Sequence, residues 1–217
     1  MNDMKDHECT EQMFLDDVKN HQISIIKDDG LHRFIRFKRP DSTSYWFDLI
    51  TWPGFLCISG DCGTYVFSRT EDMFDFFKMR DGDFNKKKDR LLNINPRYWG
   101  EKLEAIGKQG YMEFDSEEFE DKVKRCFESC FESENYSEEV KKELWEEIEL
   151  EVIYYSHDEH EAHKAAHDFR YDLPDGEVFE FVDFFDYGRA ERFTWRYIWC
   201  LYAIVWGIMK YDEAKND

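Results

Sequence analysis

The stretch HQISIIKDDGLHRFIRFKRPDSTSYWFDLITWPGFLCISGDCGTYVFSR, residues 21 to 69, decides the fold class. It breaks into short runs rich in Ile, Phe, Tyr and Val: HQISIIKDD, LHRFIRFKR, SYWFDLIT, FLCIS and TYVFSR. Between them lie Asp29-Gly30, Pro40-Asp41, Pro53-Gly54 and the segment from Gly60 to Gly63. Branched and aromatic side chains fit a pleated, half-buried surface, whereas Gly, Pro and Asp supply the dihedrals that end a strand. Asp-Gly at 29 and 30 is a tight-hairpin signal. Connections this short join antiparallel neighbours, because a parallel pair needs a crossover of a dozen or more residues. The runs predict an antiparallel sheet of about five strands, with a face to be covered.

Beyond the sheet the apolar period lengthens from two to about 3.6. Thr70 reads as the N-cap of a helix over 71 to 80, with Met73, Phe74, Phe76 and Phe77 as its apolar stripe. Further helices are expected near 99 to 107, 116 to 133, 137 to 155, 157 to 170 and 191 to 211. Ser116 and Ser137 are each followed by acids, which the positive end of a helix dipole favours. The last segment, FTWRYIWCLYAIVWGIMKY, is apolar nearly all round, so Trp195, Trp199 and Trp206 belong in a core or a subunit contact. With no repeat or low-complexity tract, the chain reads as a single α+β domain over 1 to 217, its one plausible seam at 81 to 95. An N-terminal sheet packed with helices is followed by an acidic helical half.

Charge is the strongest global feature. The net charge is -20, and residues 111 to 190 hold 26 Asp and Glu against 8 Lys and Arg, so one segment carries nearly all of the imbalance. Such a surface repels nucleic acid and anionic membrane and complements a basic groove. The opposite pole is HRFIRFKR (32 to 39) and NKKKDR (85 to 90), where cations interleave with Phe34 and Phe37 as in nucleic-acid-binding strands. The field of the whole chain opposes direct contact with nucleic acid, and pairing with the protein's own carboxylates is the plainer account. The start, MNDMKDHECTEQMF, lacks the apolar core of a secretion signal, and the longest uncharged apolar run, Tyr197 to Met209, is too short to span a bilayer. A cytoplasmic protein with reduced cysteines and no membrane partner is expected.

Two constellations look like chemistry. HDEHEAHKAAH, residues 157 to 167, places His160, His163 and His167 three and four residues apart, on one face of a helix. Imidazoles so spaced suit zinc or another divalent metal, the one cofactor the sequence makes room for, with Glu159 or Asp168 completing a shell. His163 and His167 enclose Lys164, Ala165 and Ala166, so the glutamate that defines HExxH is missing; a solvated polar face is the simpler account. Cys57, Cys62, Cys126 and Cys130 form a second set without CxxC spacing, which ordinary packing explains. SGDCGTY, residues 59 to 65, contains Ser59 and Cys62 between glycines, but no helix follows as a phosphate loop requires. It reads as a hairpin turn.

Four blocks carry a resemblance: HQISIIKDDG (21 to 30), YWFDLITWPGFLCISGDCGTYVFSRTEDMF (45 to 74), INPRYWGEKL (94 to 103) and FTWRYIWCLYAIVWGI (193 to 208). Together they resemble an uncharacterised family of accessory proteins encoded by phages and prophages of Gram-negative bacteria. The resemblance brings no catalytic motif, but it implies a role in recombination, takeover of the host, or evasion of its defences in the host cytoplasm. The charge then looks similar in kind to that of anti-CRISPR and related anti-defence inhibitors, which occupy the nucleic-acid channel of a host nuclease complex. Carboxylates spaced along helices can replace phosphates against Arg and Lys.

The expectation is a binder rather than an enzyme. It would dock on a host protein or ribonucleoprotein complex with a basic groove through Glu143, Glu146, Glu147, Glu149, Asp158 and Glu159. The alternatives are a metal-dependent hydrolase or nuclease using His160, His163 and His167, and a structural phage protein, a homodimer or larger assembly, joined through the aromatic C-terminal helix.

Overall fold

The computed structural model describes residues 9–78, 91–131, 136–181, 184 and 189–216. The chain divides into two compact units: residues 1–111 with 193–217, and residues 112–192, so the second is an insertion within the first. The sequence expectation is a single domain over 1 to 217, with a seam at 81 to 95. The breaks fall at 111/112 and 192/193, and residues 81 to 90 of that expected seam, with the basic stretch 85 to 90, lie outside the described residues. Apolar side chains bury into two separate clusters, which is why an uninterrupted sequence pattern did not betray the division.

The first unit opens with helix α1 (Glu11–Val18), an element absent from the sequence expectation. Its signal is present but short: the Thr10 hydroxyl accepts from the Met13 N–H, and Phe14 and Val18, four apart, are its buried residues. The sheet then runs β1 (Gln22–Asp29), β2 (His32–Lys38), β3 (Phe47–Trp52), β4 (Phe55–Gly60) and β5 (Gly63–Ser68), all antiparallel in chain order, as the short connections require. Asp29 pairs with His32 across Gly30, whose φ of +61° only glycine adopts freely, so the Asp-Gly signal does make a two-residue hairpin. Likewise SGDCGTY is the turn of the β4–β5 hairpin, Gly60 pairing with Gly63.

A sixth strand, β6 (Leu103–Ile106), adds to the edge at β5. It corrects the helix expected over 99 to 107, of which only α3 (Pro96–Gly100) exists. Asn95 caps that helix and Pro96 starts it; the chain then extends, and the Gly107 N–H donates to the Thr64 carbonyl at 2.8 Å. Helix α2 (Met73–Phe77) is capped by Asp72 rather than Thr70, since the Asp72 carboxylate accepts the Phe74 N–H while the Thr70 hydroxyl donates to the Asp72 carbonyl.

One face of the sheet is closed by the last helix, α7 (Trp195–Asn216). Ile35 and Phe37 of β2, Phe47 and Leu49 of β3, Leu56 and Ile58 of β4 and Tyr65 and Phe67 of β5 alternate onto the buried face, in one cluster with Trp199, Tyr202 and Trp206. Phe37 meets the Trp206 ring edge-on at 5.5 Å, and Phe47 meets Trp199 at 5.7 Å. Trp199 and Trp206 of the aromatic helix are therefore core, and Trp195 is partly buried against it. Among the described residues no helix is long and apolar enough to cross a membrane.

Close backbone packing at one turn gives a first testable expectation. A Cβ on Gly60 would stand 2.2 Å from the Trp46 carbonyl oxygen and 2.7 Å from Phe47 Cα. No rotamer relieves a clash with backbone, so Gly60→Ala should cost about 3 kcal/mol in urea unfolding. Gly30→Ala, with open space around its Cβ but a left-handed φ, should cost about 1 kcal/mol. Equal costs would mean that the Trp46–Gly60 approach is looser than described.

The second unit comprises β7 (Met112–Phe114), α4 (Ser116–Cys130), α5 (Glu138–Glu151), a 3-10 turn at Ile153–Tyr155 and α6 (Glu159–Asp168), followed by β8 (Tyr171–Asp172), β9 (Val178–Phe179) and the first two residues of β10 (Glu191–Phe193). β8 pairs with β9, and β10 with β7. Its core gathers Phe119 and Val123 of α4, Leu144 and Ile148 of α5 and Ala162 and Ala166 of α6, each pair at helical spacing.

Candidate functional site

Residues 112 to 192 carry 27 Asp and Glu against 9 Lys and Arg. The question is which of these carboxylates the fold leaves without an ion partner. Helix α5 is the clearest case. Ser137 caps it, accepting the Val140 N–H, and Glu138 and Glu139 fill its first turn. Leu144 and Ile148 bury one side of the helix, and Glu139, Glu143, Glu147 and Glu151, every fourth residue and all exposed, run obliquely along it from the far side toward the margin of that buried face. At 1.5 Å rise per residue they form a row with steps of about 6 Å.

None of these four glutamates makes an ion pair with a described residue. The helix's two lysines serve other acids: Lys141 reaches Glu138 at 3.0 Å and Lys142 reaches Glu146 at 3.6 Å. Like charges four apart destabilise a helix by about 0.2–0.5 kcal/mol per pair, so the row is locally unfavourable. A helix that served only to cover the core would be more stable with lysine at some of these positions.

The row ends among exposed apolar groups. Leu150 is 67% exposed and Tyr154 70% exposed, and Tyr155 packs edge-on to Tyr154 at 5.2 Å. Leu150 follows Glu146 and Glu147 by four and three positions, which places it on the carboxylate face. Large apolar groups bordered by unpaired charge have the anatomy of a protein interface, in which a few aromatic or aliphatic anchors sit inside a polar surround.

Of the six carboxylates expected to contact a partner, Glu143 and Glu147 lie in the row. Glu146 and Glu149 flank it, the latter accepting the Trp145 indole N–H at 2.7 Å. Asp158 is engaged as the N-cap of α6, accepting the Glu161 N–H at 3.0 Å, while Glu159 is exposed in that helix's first turn. Sequence reasoning omitted Glu139 and Glu151, although the i, i+4 spacing that unites them with Glu143 and Glu147 is visible without a structure. It also missed Leu150 and Tyr154, because an apolar residue in a helix is ordinarily assigned to the core.

The histidines do not converge. Ala162 and Ala166 set the buried face of α6, which leaves His163 at its margin, with its ring 5.7 Å from Phe114 and 6.1 Å from Phe119. His160 is exposed, and His167 turns to Asp168 with Nδ1 2.9 Å from the carboxylate. Among the described residues no group of three or more His, Cys, Asp or Glu side chains is placed to hold a metal, so neither the histidine set nor the set of Cys57, Cys62, Cys126 and Cys130 assembles.

Cys62 is equally unsuited to nucleophilic work. Burial, assisted by Asp61, pushes its thiol up to about 12, and a protonated buried thiol is a small hydrophobe. The basic strand is explained within its own unit. Arg36 holds Asp48 in a two-pronged pair at 2.8 Å, and Arg33 does the same with Asp72. Comparison of the chain with protein-family models, curated proteins and solved structures finds no match in any of the three.

Proposed function

We propose that this protein acts by binding rather than by chemistry: a phage-encoded, anti-defence inhibitor that docks its second unit into the basic groove of a host nuclease or nucleic-acid-processing complex. The observation that carries this reading is the row Glu139, Glu143, Glu147 and Glu151, without ion partners among the described residues and running into exposed Leu150 and Tyr154. The carboxylates supply the spaced negative charge that a phosphate-binding groove selects, and they speed encounter with it. Leu150 and Tyr154 supply the desolvated anchors that charge alone lacks.

The test begins with capture from a nuclease-treated Gram-negative host lysate, using a tag without histidines. Supporting results are twofold: the captured complex binds this protein and its own nucleic acid mutually exclusively, and the pair Glu143→Lys with Glu147→Lys lowers affinity by about 100-fold or more while circular dichroism is unchanged. Simultaneous binding of protein and nucleic acid would overturn the phosphate-substitute reading. Undiminished capture by the charge-reversed variant would overturn the site.

A further inference from the structure

The sheet of the first unit is apolar on both of its faces. Helices α1, α2, α3 and α7 all place their buried residues in the cluster on one face. On the other, Phe34, Ile50, Cys57 and Val66 are successive cross-strand partners in β2, β3, β4 and β5, so they form one band across four strands. Trp52 and Phe55, stacked at 5.2 Å, extend the band at the β3–β4 turn. All six are half-exposed or exposed, and none belongs to either buried cluster of the described residues. The solvated face of an antiparallel sheet is ordinarily polar, whereas strands apolar on both faces are covered on both. We propose that this outer face is the interface of a two-fold symmetric homodimer, in which the bands of two copies pack sheet to sheet.

Three observations select a second copy as the occupant. The first is charge: residues 1–111 with 193–217 hold 22 Asp and Glu against 20 Lys and Arg, so two such units meet without the repulsion that the acidic second unit would impose. The second is the polar band beside the apolar one, which is satisfied from within. Arg36 holds Asp48 through two bonds of 2.8 Å, and the Ser59 and Thr64 hydroxyls lie 2.9 Å apart, one donating to the other. That band presents no lone charge to select a partner of opposite sign, and covering it strands none. Lys27, opposite Phe34 on the edge strand, sits at the rim, where charge stays in water. The third is area: strands about 4.8 Å apart and about six residues long give the six-stranded face roughly 500 Å². Two copies would bury about 1,000 Å², the lower limit for a specific interface, which suits a dimer that dissociates at about 10–100 μM. A two-fold axis closes the assembly at two copies, because each face is used up by its partner. The interface uses no residue of the Glu139–Glu151 row, so it stands or falls separately from the inhibitor reading.

The test is sedimentation equilibrium of the full chain from about 1 to about 500 μM, at low salt and at about 0.5 M NaCl. The mass should move from monomer to dimer with concentration. Because each copy carries a net charge of -20, screening should tighten the dimer by at least about threefold at high salt, whereas ion-paired self-association of basic with acidic surface would weaken. Val66→Lys, at the centre of the band, should raise the dissociation constant at least about 30-fold with circular dichroism unchanged. Phe34→Ser with Trp52→Ser removes apolar area from the same face and tests it should Val66→Lys fail to fold. Glu143→Lys with Glu147→Lys, in the second unit, should leave the dimer no weaker. A chain still monomeric at about 500 μM in high salt would overturn the proposal and leave the band to a different protein. A dimer that weakens as salt is raised, or that survives in the folded outer-face variants, would overturn it as well.

Discussion

Trp199→Ala should cost the first unit about 4 kcal/mol in a urea titration followed by circular dichroism, the range for emptying a large aromatic site in a packed core. The indole has no exposed surface and is held on several sides: by Phe14 at 5.1 Å, by Phe47 at 5.7 Å and by the Tyr45 ring stacked at 5.7 Å. Tyr45 has a φ of +59°, a strained conformation for a side chain of that size, and its N–H donates to the Asp61 carboxylate at 2.9 Å. Removing the ring beneath it takes away part of what sustains that strain. A cost below about 1 kcal/mol would mean that α7 is not seated on the sheet as described.

Trp199→Phe separates packing from polarity. It retains an aromatic ring but removes the indole donor, which lies 3.0 Å from the Asp17 carboxylate, and should cost about 1–2 kcal/mol. Burial pushes the Asp17 carboxyl above its ordinary value, and the Trp199 hydrogen bond pulls it part of the way back. Without the donor, the carboxyl in the folded state should rise further. A group whose folded value is raised contributes stability below its unfolded value and loses it as pH rises through the folded value. The penalty of Trp199→Phe should therefore grow from acid toward neutral pH; a penalty independent of pH would show that Asp17 does not depend on the indole.

The sheet was legible because its strands are short branched and aromatic runs, with buried residues alternating in β2, β4 and β5, and its turns carry residues with one conformational role each, as at Asp29-Gly30 and Pro53-Gly54. β6 was not, because an edge strand of four residues with only Leu103 turned toward the core has no pattern to display. Helix α1 failed for a related reason: two buried residues, Phe14 and Val18, are too few to stand out in an acidic segment. The insertion of one unit into another leaves no mark in local patterning, since each helix buries a stripe whichever cluster receives it. At the candidate site the charges were legible and their pairing was not. Which lysine meets which glutamate depends on rotamers, and the exposure of Leu150 and Tyr154 depends on where the chain turns after α5.

Asp72→Ala is the second large expected loss, about 3 kcal/mol, because one carboxylate does two things. It receives the Arg33 guanidinium through bonds of 2.9 and 2.8 Å, and it accepts the Phe74 N–H at 2.9 Å to begin α2. The guanidinium also lies over the Phe74 ring at 4.5 Å, and with only 11% of the Arg33 side chain exposed, loss of Asp72 would leave a largely desolvated cation without its carboxylate. Asp72→Asn retains an acceptor for the cap and should fall between wild type and Asp72→Ala. Burial by itself would raise the Asp72 carboxyl, but the hydrogen bonds from Arg33 and Phe74 and the Arg33 charge hold it below its ordinary value. A group depressed in the folded state contributes stability above its unfolded value and loses it as pH falls through the folded value. Wild type and Asp72→Ala should accordingly differ most at neutral pH and converge in acid. If the gap measured by urea unfolding is the same at both ends of that range, the Arg33 pair contributes nothing and the loss belongs to the cap alone.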